Sequence, residues 1–369
     1  MRTKWSLVNL GEIDGLETQV VWHATALAVS ERARGNTVLL DWPDKPFISC
    51  GFNQVIDLEI DLDYCRTRGI PFYRRACGGG TVLLDRNQLF YHPVIHLDTP
   101  GIAKQVAAFY EQLLAPVVQT YQDLGVNAQY KPINDIMVGG RKISGNGAAT
   151  FEAAMILTGN FILEFPRELM ARILKVPDEK FRDKVVKSLE AGVTSLKDEL
   201  GSNPPRDEII ETYARNFEEL IGIEFQWGEL DERTYEIMDE LKQEYQTDEW
   251  LFQVSKRSPN LIRRIKISGE LQVVQSLYKS PGGLIRLLME IKHKTINDIL
   301  ITGDFWMSPE TTVSAMEETL RGTILDRRKL HETIAMFYEQ HNIQAPGTTP
   351  EDFVAAIMQG LKPATSQEK

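Results

Sequence analysis

Two short segments of this 369-residue chain combine the residue types that handle anions. The first is Tyr73-Arg74-Arg75-Ala76-Cys77-Gly78-Gly79-Gly80-Thr81-Val82. Three consecutive glycines let backbone N–H groups approach a ligand closely and adopt positive φ without steric cost. Successive exposed amides form an anion nest, and the two arginines add charge-assisted donors. A glycine hairpin turn with its arginines on the solvent face is the competing reading. No Gly-Lys-Ser or Gly-Lys-Thr follows the glycines, which excludes a Walker loop. The second segment is Asn134-Asp135-Ile136-Met137-Val138-Gly139-Gly140-Arg141-Lys142-Ile143-Ser144-Gly145. It predicts a strand, a Gly-Gly hairpin turn and a second strand presenting Lys142 beside small residues. A lysine so held suits a carboxylate undergoing activation, and then a phosphoryl or mixed-anhydride oxygen. Asp135 is a candidate Mg²⁺ ligand, since magnesium is usually held by a carboxylate plus substrate phosphates. A surface hairpin with an ordinary lysine and a turn-capping Asn-Asp fits the same spacing.

These segments need a scaffold, and the pattern supplies one. Val20, Val21, Ala24, Leu27 and Ala28 sit at helical spacing over 19–32, and Gly35 ends that run. Strands are expected at 37–41 and 47–51, then a helix over 57–68 with an acidic start and Gly69 at its end. The glycine run falls between strands at 70–74 and 81–84. A long amphipathic helix over 103–124 precedes strands at 136–138 and 155–163, which bracket a polar, Gly-rich segment. Residues 166–245 read as mostly helical and acidic. Beyond them, Ile265 and Ile267, Leu271 and Val273, then Ile285, Leu287, Met289 and Ile291 alternate around Ser268-Gly269 and Pro281-Gly282-Gly283. That is an antiparallel meander, with helices expected near 309–320, 327–340 and 350–361. The fold class is α+β: a large mixed-sheet domain over 1–246 and a smaller α+β domain over 247–369. His92 reads as a packed histidine, and Trp250 and Trp306 as core anchors of the second domain.

Composition narrows the function classes. Lys plus Arg is 41 against 52 Asp plus Glu, a net charge of −11, so a protein that coats polyanions is excluded and no nucleic-acid partner is expected. Residues 252–294 run the other way, with nine Lys or Arg against Glu270 and Glu290. No apolar stretch reaches the length of a membrane span, and the N-terminus lacks a signal-peptide core. Three cysteines (Cys50, Cys65, Cys77) cannot pair completely and form no CxxC, so a cytoplasmic location without structural zinc is expected.

Together, in this order and about 60 residues apart, the two segments resemble the lipoate–protein ligase family within the wider biotin and lipoate ligase group. The family's Arg-Arg-x-Ser-Gly-Gly-Gly-x-Val is matched at Arg74 to Val82, with Cys77 in the serine position. Its Asn-Asp…Gly-Arg-Lys-(apolar)-Ser-Gly is matched at Asn134 to Gly145. A later His-Gly-Thr-Leu-type strand corresponds to Leu157-Thr158-Gly159-Asn160-Phe161, without the histidine. Val185, Lys187 and Ser188 with Gly192 to Leu196 resemble the family's Lys-x-Val-x-Ser…Val-Thr-Asn-Leu segment, and Gly303-Asp304-Phe305-Trp306 resembles the accessory domain of full ligases. The resemblance implies ATP-dependent conversion of lipoate to lipoyl-AMP with Mg²⁺ at Asp135. Transfer to a lysine of a lipoyl carrier follows, either an E2 lipoyl domain of a 2-oxoacid dehydrogenase or a glycine-cleavage H-like protein. It further implies that Lys142 is catalytic, bridging carboxyl and α-phosphate. Arg75, Gly78, Gly79, Gly80, Thr81, Val82, Leu83, Asn134, Asp135, Ser144, Thr158 and Gly159 would bind the nucleotide or adenylate. The small residues over 146–154 stand where relatives carry an adenylate-binding loop with longer side chains. An ATP-independent octanoyl- or lipoyltransferase is the alternative. Those relatives use a cysteine downstream of the equivalent lysine, whereas all three cysteines here precede Lys142.

Overall fold

The computed structural model describes residues 2–176, 178–258, 261, 271–309 and 311–361. Its strands are β1 (Thr3–Ile13), β2 (Thr37–Pro43), β3 (Phe47–Cys50), β4 (Phe72–Arg74), β5 (Val82–Leu84), β6 (Gln88–His96) and β7 (Gln129–Lys131). They continue as β8 (Asp135–Val138), β9 (Arg141–Phe151), β10 (Ala154–Ile162), β11 (Ile223–Trp227), β12 (Leu271–Ser280), β13 (Gly283–Lys292) and β14 (Thr295–Gly303). The chain packs as two units. The larger holds Met1–Ser49, Asp57–Arg75 and Val82–Thr247; the smaller holds Asp248–Lys369 together with Cys50–Ile56 and Ala76–Thr81.

The larger unit is built on an eight-stranded mixed sheet in the order β11-β1-β2-β6-β10-β9-β8-β7. β1 runs parallel to β2 and to β11, and the remaining pairs are antiparallel. β6 is buried along nearly its whole length, as a strand covered on both faces must be. One face carries the helix Gly15–Ser30, which is buried almost all round and starts where Asp14 accepts from the Leu16 amide at 2.8 Å. The other face carries Val106–Asp123 and Arg206–Ile221, sealed by Tyr91, Tyr121, Phe161 and Tyr213 with ring centroids 5.1–5.7 Å apart. A small sheet, β4-β3-β5, flanks the entry and exit of the glycine run.

Several expectations shift. The helix over 57–68 is two, Ile56–Glu59 and Leu62–Arg68, because Asp61 accepts from the Tyr64 amide at 3.0 Å and starts a new helix. β11 interrupts the stretch read as mostly helical. The polar, Gly-rich segment read between strands is itself mostly strand, since β9 pairs continuously with β10 and the chain turns at Glu152 (φ +51) and Ala153.

The smaller unit carries the meander β12-β13-β14, all antiparallel. Helices Thr312–Leu320, Arg327–Gln340 and Pro350–Gly360 bury Ile285, Leu287, Met289, Ile299, Ile301, Phe353 and Ile357 against it. Its third strand is β14, whose Asn297-Asp298 hides the alternation; Ile265 and Ile267 lie outside the described residues. Among the described residues no helix is long and apolar enough to cross a membrane.

Candidate active site

The β8–β9 hairpin turns on Gly139 (φ +54) and Gly140 (φ +85), the paired left-handed conformation of a two-residue type I′ turn. Its register is not regular. Asp135 faces Gly145, Ile136 faces Ser144, and Met137 faces Lys142, so Ile143 is an extra residue bulged out of the ladder. In a regular strand Lys142 and Ser144 would share a face. The bulge moves Lys142 onto the face of Asp135 and leaves Ser144 on the other. The Lys142 Nζ–Asp135 Oδ1 distance is 2.5 Å, with the two side chains 37% and 27% exposed, so the pair is anchored yet reachable. The backbone at the bulge is clamped. Thr194 N donates to Lys142 O at 2.8 Å, and the buried Tyr121 hydroxyl donates to Ile143 O at 3.0 Å.

On the opposite face the Tyr91 hydroxyl lies 3.0 Å from Ser144 Oγ and donates to Asn146 Oδ1 at 2.5 Å. Burial pushes that phenol far above its usual range, so it stays protonated. Asn134 and Asn146 exchange amide hydrogen bonds at 2.6 and 3.0 Å, tying the start of the motif to the strand beyond it. Gly159 pairs with both Tyr91 and Asn146, and a Cβ there would collide with the Tyr91 hydroxyl and Asn146 Oδ1. Thr158, one residue earlier, falls on the Lys142 face by alternation.

Within the same unit Arg75 is half-buried, and its Nη1 donates to Ser49 O at 3.0 Å and Ser49 Oγ at 3.4 Å. Ser49 Oγ in turn donates to Gln19 Oε1 at 2.6 Å. Arg74 is fully buried, so the reading of both arginines on a solvent face fails for it. Val82 is exposed, whereas Leu83 is buried with its carbonyl accepting from Gln88 Nε2 at 3.0 Å.

Gly78, Gly79, Gly80 and Thr81 pack with the smaller unit. Gly79 has φ +96, and a Cβ on Gly78 would meet Phe305 O at 3.1 Å and the Trp306 Cα at 3.3 Å. Thr81 Oγ1 donates to Gln54 Oε1 at 2.9 Å, which also accepts from Gly51 N at 2.9 Å, and Phe52 N donates to Cys77 O at 2.9 Å. Cys77 is buried, as are Cys50 and Cys65. His92 is packed inside the sheet, 3.1 Å from the buried Asp41.

The sequence model described as Lipoyl protein ligase A/B catalytic domain matches residues 18–218, more than half of the chain. This chain belongs to the lipoyl protein ligase A/B family. The description Bacterial lipoate protein ligase C-terminus matches residues 273–357, within the smaller unit. Lipoate-protein ligase LplJ of Bacillus subtilis is 27% identical over 86% of this chain and 90% of its own length. Octanoyltransferase LipM of Kyrpidia tusciae is 25% identical over 67% of this chain and 97% of its own. The solved structure of a bipartite lipoate protein ligase and its E2 lipoyl domain from Thermoplasma acidophilum superposes with a TM-score of 0.59 at 26% identity, covering 68% of this chain and 96% of that one. The α+β fold and membership among lipoate ligases and transferases follow.

For a lipoyl protein ligase A/B member, the arrangement brings Asn134, Asp135, Lys142, Ser144 and Gly159 into one hairpin neighbourhood. The sequence reading gave no role to Tyr91, Gln88, Asn146 or Asn160, although the last two lie in segments it singled out. Gln88 and Tyr91 sit in no local motif, and burial along β6 masks the period-two signal that would have exposed them. No group of three His, Cys, Asp or Glu side chains positioned to hold a metal occurs among the described residues. Asp135 is a single carboxylate, a donor set that suits an ion taking its other ligands from water and phosphates.

Proposed function

We propose that this chain is an ATP-dependent lipoate–protein ligase. In the first half-reaction a lipoate carboxylate oxygen attacks the α-phosphorus of ATP, expelling pyrophosphate and forming lipoyl-AMP. In the second, the ε-amine of a carrier lysine attacks the acyl carbon, expelling AMP and losing a proton as the amide forms. Both transition states gather negative charge on oxygen, and Lys142 supplies a fixed positive charge on a clamped strand. The Lys142–Asp135 pair holds both groups ready before substrate arrives. A phosphate oxygen at Lys142 and Mg²⁺ at Asp135 would each replace the partner the other gives up, keeping local charge balanced. Magnesium, when bound there, supplies charge neutralisation on the phosphates. Arg75 and the Gly78–Leu83 backbone are assigned to the phosphates and adenylate, and Asn134, Ser144, Thr158 and Gly159 to the nucleotide or adenylate.

The observation that carries ligation over acyl-carrier transfer is the burial of all three thiols. The transferase relatives work through a cysteine nucleophile, and a buried thiol has no open path to an acyl-carrier thioester. The partner is a lipoyl carrier domain, in keeping with the E2 lipoyl domain of the Thermoplasma ligase. The cytoplasm is its place of work. The test is mass gain on a purified E2 lipoyl domain. ATP with free lipoate produces it under this reading; labelling from an octanoyl carrier thioester without ATP would establish the transferase instead.

A further inference from the structure

The strand that leaves the glycine run and the strand that carries Lys142 are not neighbours in the larger unit's sheets, yet their backbones are joined. Gly145 N donates to Asn160 Oδ1 at 3.1 Å, Asn160 Nδ2 donates to Gln88 Oε1 at 2.7 Å, and Gln88 Nε2 donates to Leu83 O at 3.0 Å. Gln88 is 1% exposed and Asn160 8%. All three bonds point the same way, so each polarises the next, and both amides use their donor and their acceptor. The path starts three residues after Lys142 and ends on a backbone carbonyl two residues after Thr81. Nothing in either motif requires a Gln or an Asn at these positions. An apolar pair would seal the sheet without desolvating two amides.

We propose that Gln88 and Asn160 are positioning residues, a hydrogen-bonded relay that sets the separation between the Leu83 strand and the Lys142 strand and thereby aims Lys142. This rests on the ligase reading for its chemical consequence. The relay touches no reacting atom in this account. Its loss loosens where the charge of Lys142 sits in the transition state and leaves ground-state binding of ATP and lipoate nearly alone. The signature is therefore a fall in kcat with little change in KM.

Two variants of the full chain separate positioning from bulk packing. Gln88→Met keeps length and volume but removes donor and acceptor at every pH. Gln88→Glu keeps the acceptor and, when its buried carboxyl is protonated, regains a donor for Leu83 O. In lipoate-dependent ATP–pyrophosphate exchange, Gln88→Met should lose about tenfold in kcat with both KM values within about twofold, the scale of one buried hydrogen bond. Gln88→Glu should match that loss at alkaline pH and recover toward wild type, after normalisation to the wild-type profile, as the pH falls. In both variants the Gly145 amide should exchange hydrogen faster. Undiminished kcat in Gln88→Met, a loss confined to KM, or identical pH profiles for the two variants would overturn the proposal. A wild-type chain without lipoate-dependent exchange sinks the ligase reading instead. The relay is then judged on the Gly145 amide, and unchanged protection in Asn160→Leu, which removes its acceptor, refutes it.

Discussion

The two glycine motifs look alike in sequence and differ in what holds them. Gly139 and Gly140 sit in open space, with nothing near where a Cβ would stand, and are needed for their positive φ alone. Gly78 has an ordinary backbone conformation but lies against Phe305 O and Trp306, more than two hundred residues downstream. One motif is a local turn. The other is half of a long-range contact inside the smaller unit, whose meander and helices are needed to complete it. A glycine can therefore be kept for dihedral freedom or for closeness, and the two uses fail differently on substitution.

Lys142→Ala should give the largest effect, a loss of at least ~10²-fold in lipoyl-AMP formation with the fold intact, as removing one preorganised charge does. Retention of more than a tenth of wild-type activity would remove Lys142 from the centre of the chemistry. Next comes the direct contrast. Gly78→Ala crowds Phe305 O and Trp306 and shifts the loop by a few tenths of an ångström, and roughly tenfold loss of adenylate formation is expected from misplacement. Gly140→Ala has room but the wrong φ, so its cost is about 1–2 kcal/mol in chemical denaturation with adenylate formation nearly unchanged per folded molecule. Matching outcomes for the two would erase the distinction.

The units should also answer pH with opposite signs. In the larger unit His23 packs half-buried against Phe151 and hydrogen-bonds to Tyr245 at 2.9 Å, and desolvation of its ring lowers its pKa from 6.5 to about 4. The unfolded chain binds that proton first, so the larger unit loses stability as pH falls from about 6.5 to 4. In the smaller unit burial raises Glu317 from 4.5 to about 7, against the weaker pull of Arg257 3.6 Å away. Here the folded state keeps the proton longer, so stability is greatest below about 4.5 and is lost as pH rises to about 7. Each change is about 3 kcal/mol in size. Core-amide hydrogen exchange, read unit by unit, should show the opposite slopes, and Glu317→Gln should flatten that of the smaller unit. The smallest effect is expected from Cys77→Ser, which leaves ligation nearly intact because the thiol is buried and the family pattern holds serine there. An acyl-thioester trapped at Cys77 would reverse that expectation.

What sequence made legible follows the same divide. The Gly139-Gly140 hairpin, the alternating β13 and the three C-terminal helices are encoded by neighbours in the chain, and their patterns are regular. The Ile143 bulge was not legible, because one residue of slip leaves no trace in residue type yet decides which face Lys142 takes. Nor was the company of Gly78, since pairing with Phe305 and Trp306 depends on tertiary packing. β6 was hidden by burial on both faces, which removes the alternation that marks a strand, and the relay through Gln88 was hidden with it.

Activation of a free carboxylate with ATP is what separates a ligase from a transferase in this family. Lipoate-dependent ATP–pyrophosphate exchange by the purified protein tests it most directly. The expected result is exchange that requires lipoate, needs no acyl carrier and disappears in Lys142→Ala. Absence of exchange in a folded wild-type chain that still moves an octanoyl group from a carrier thioester would contradict it.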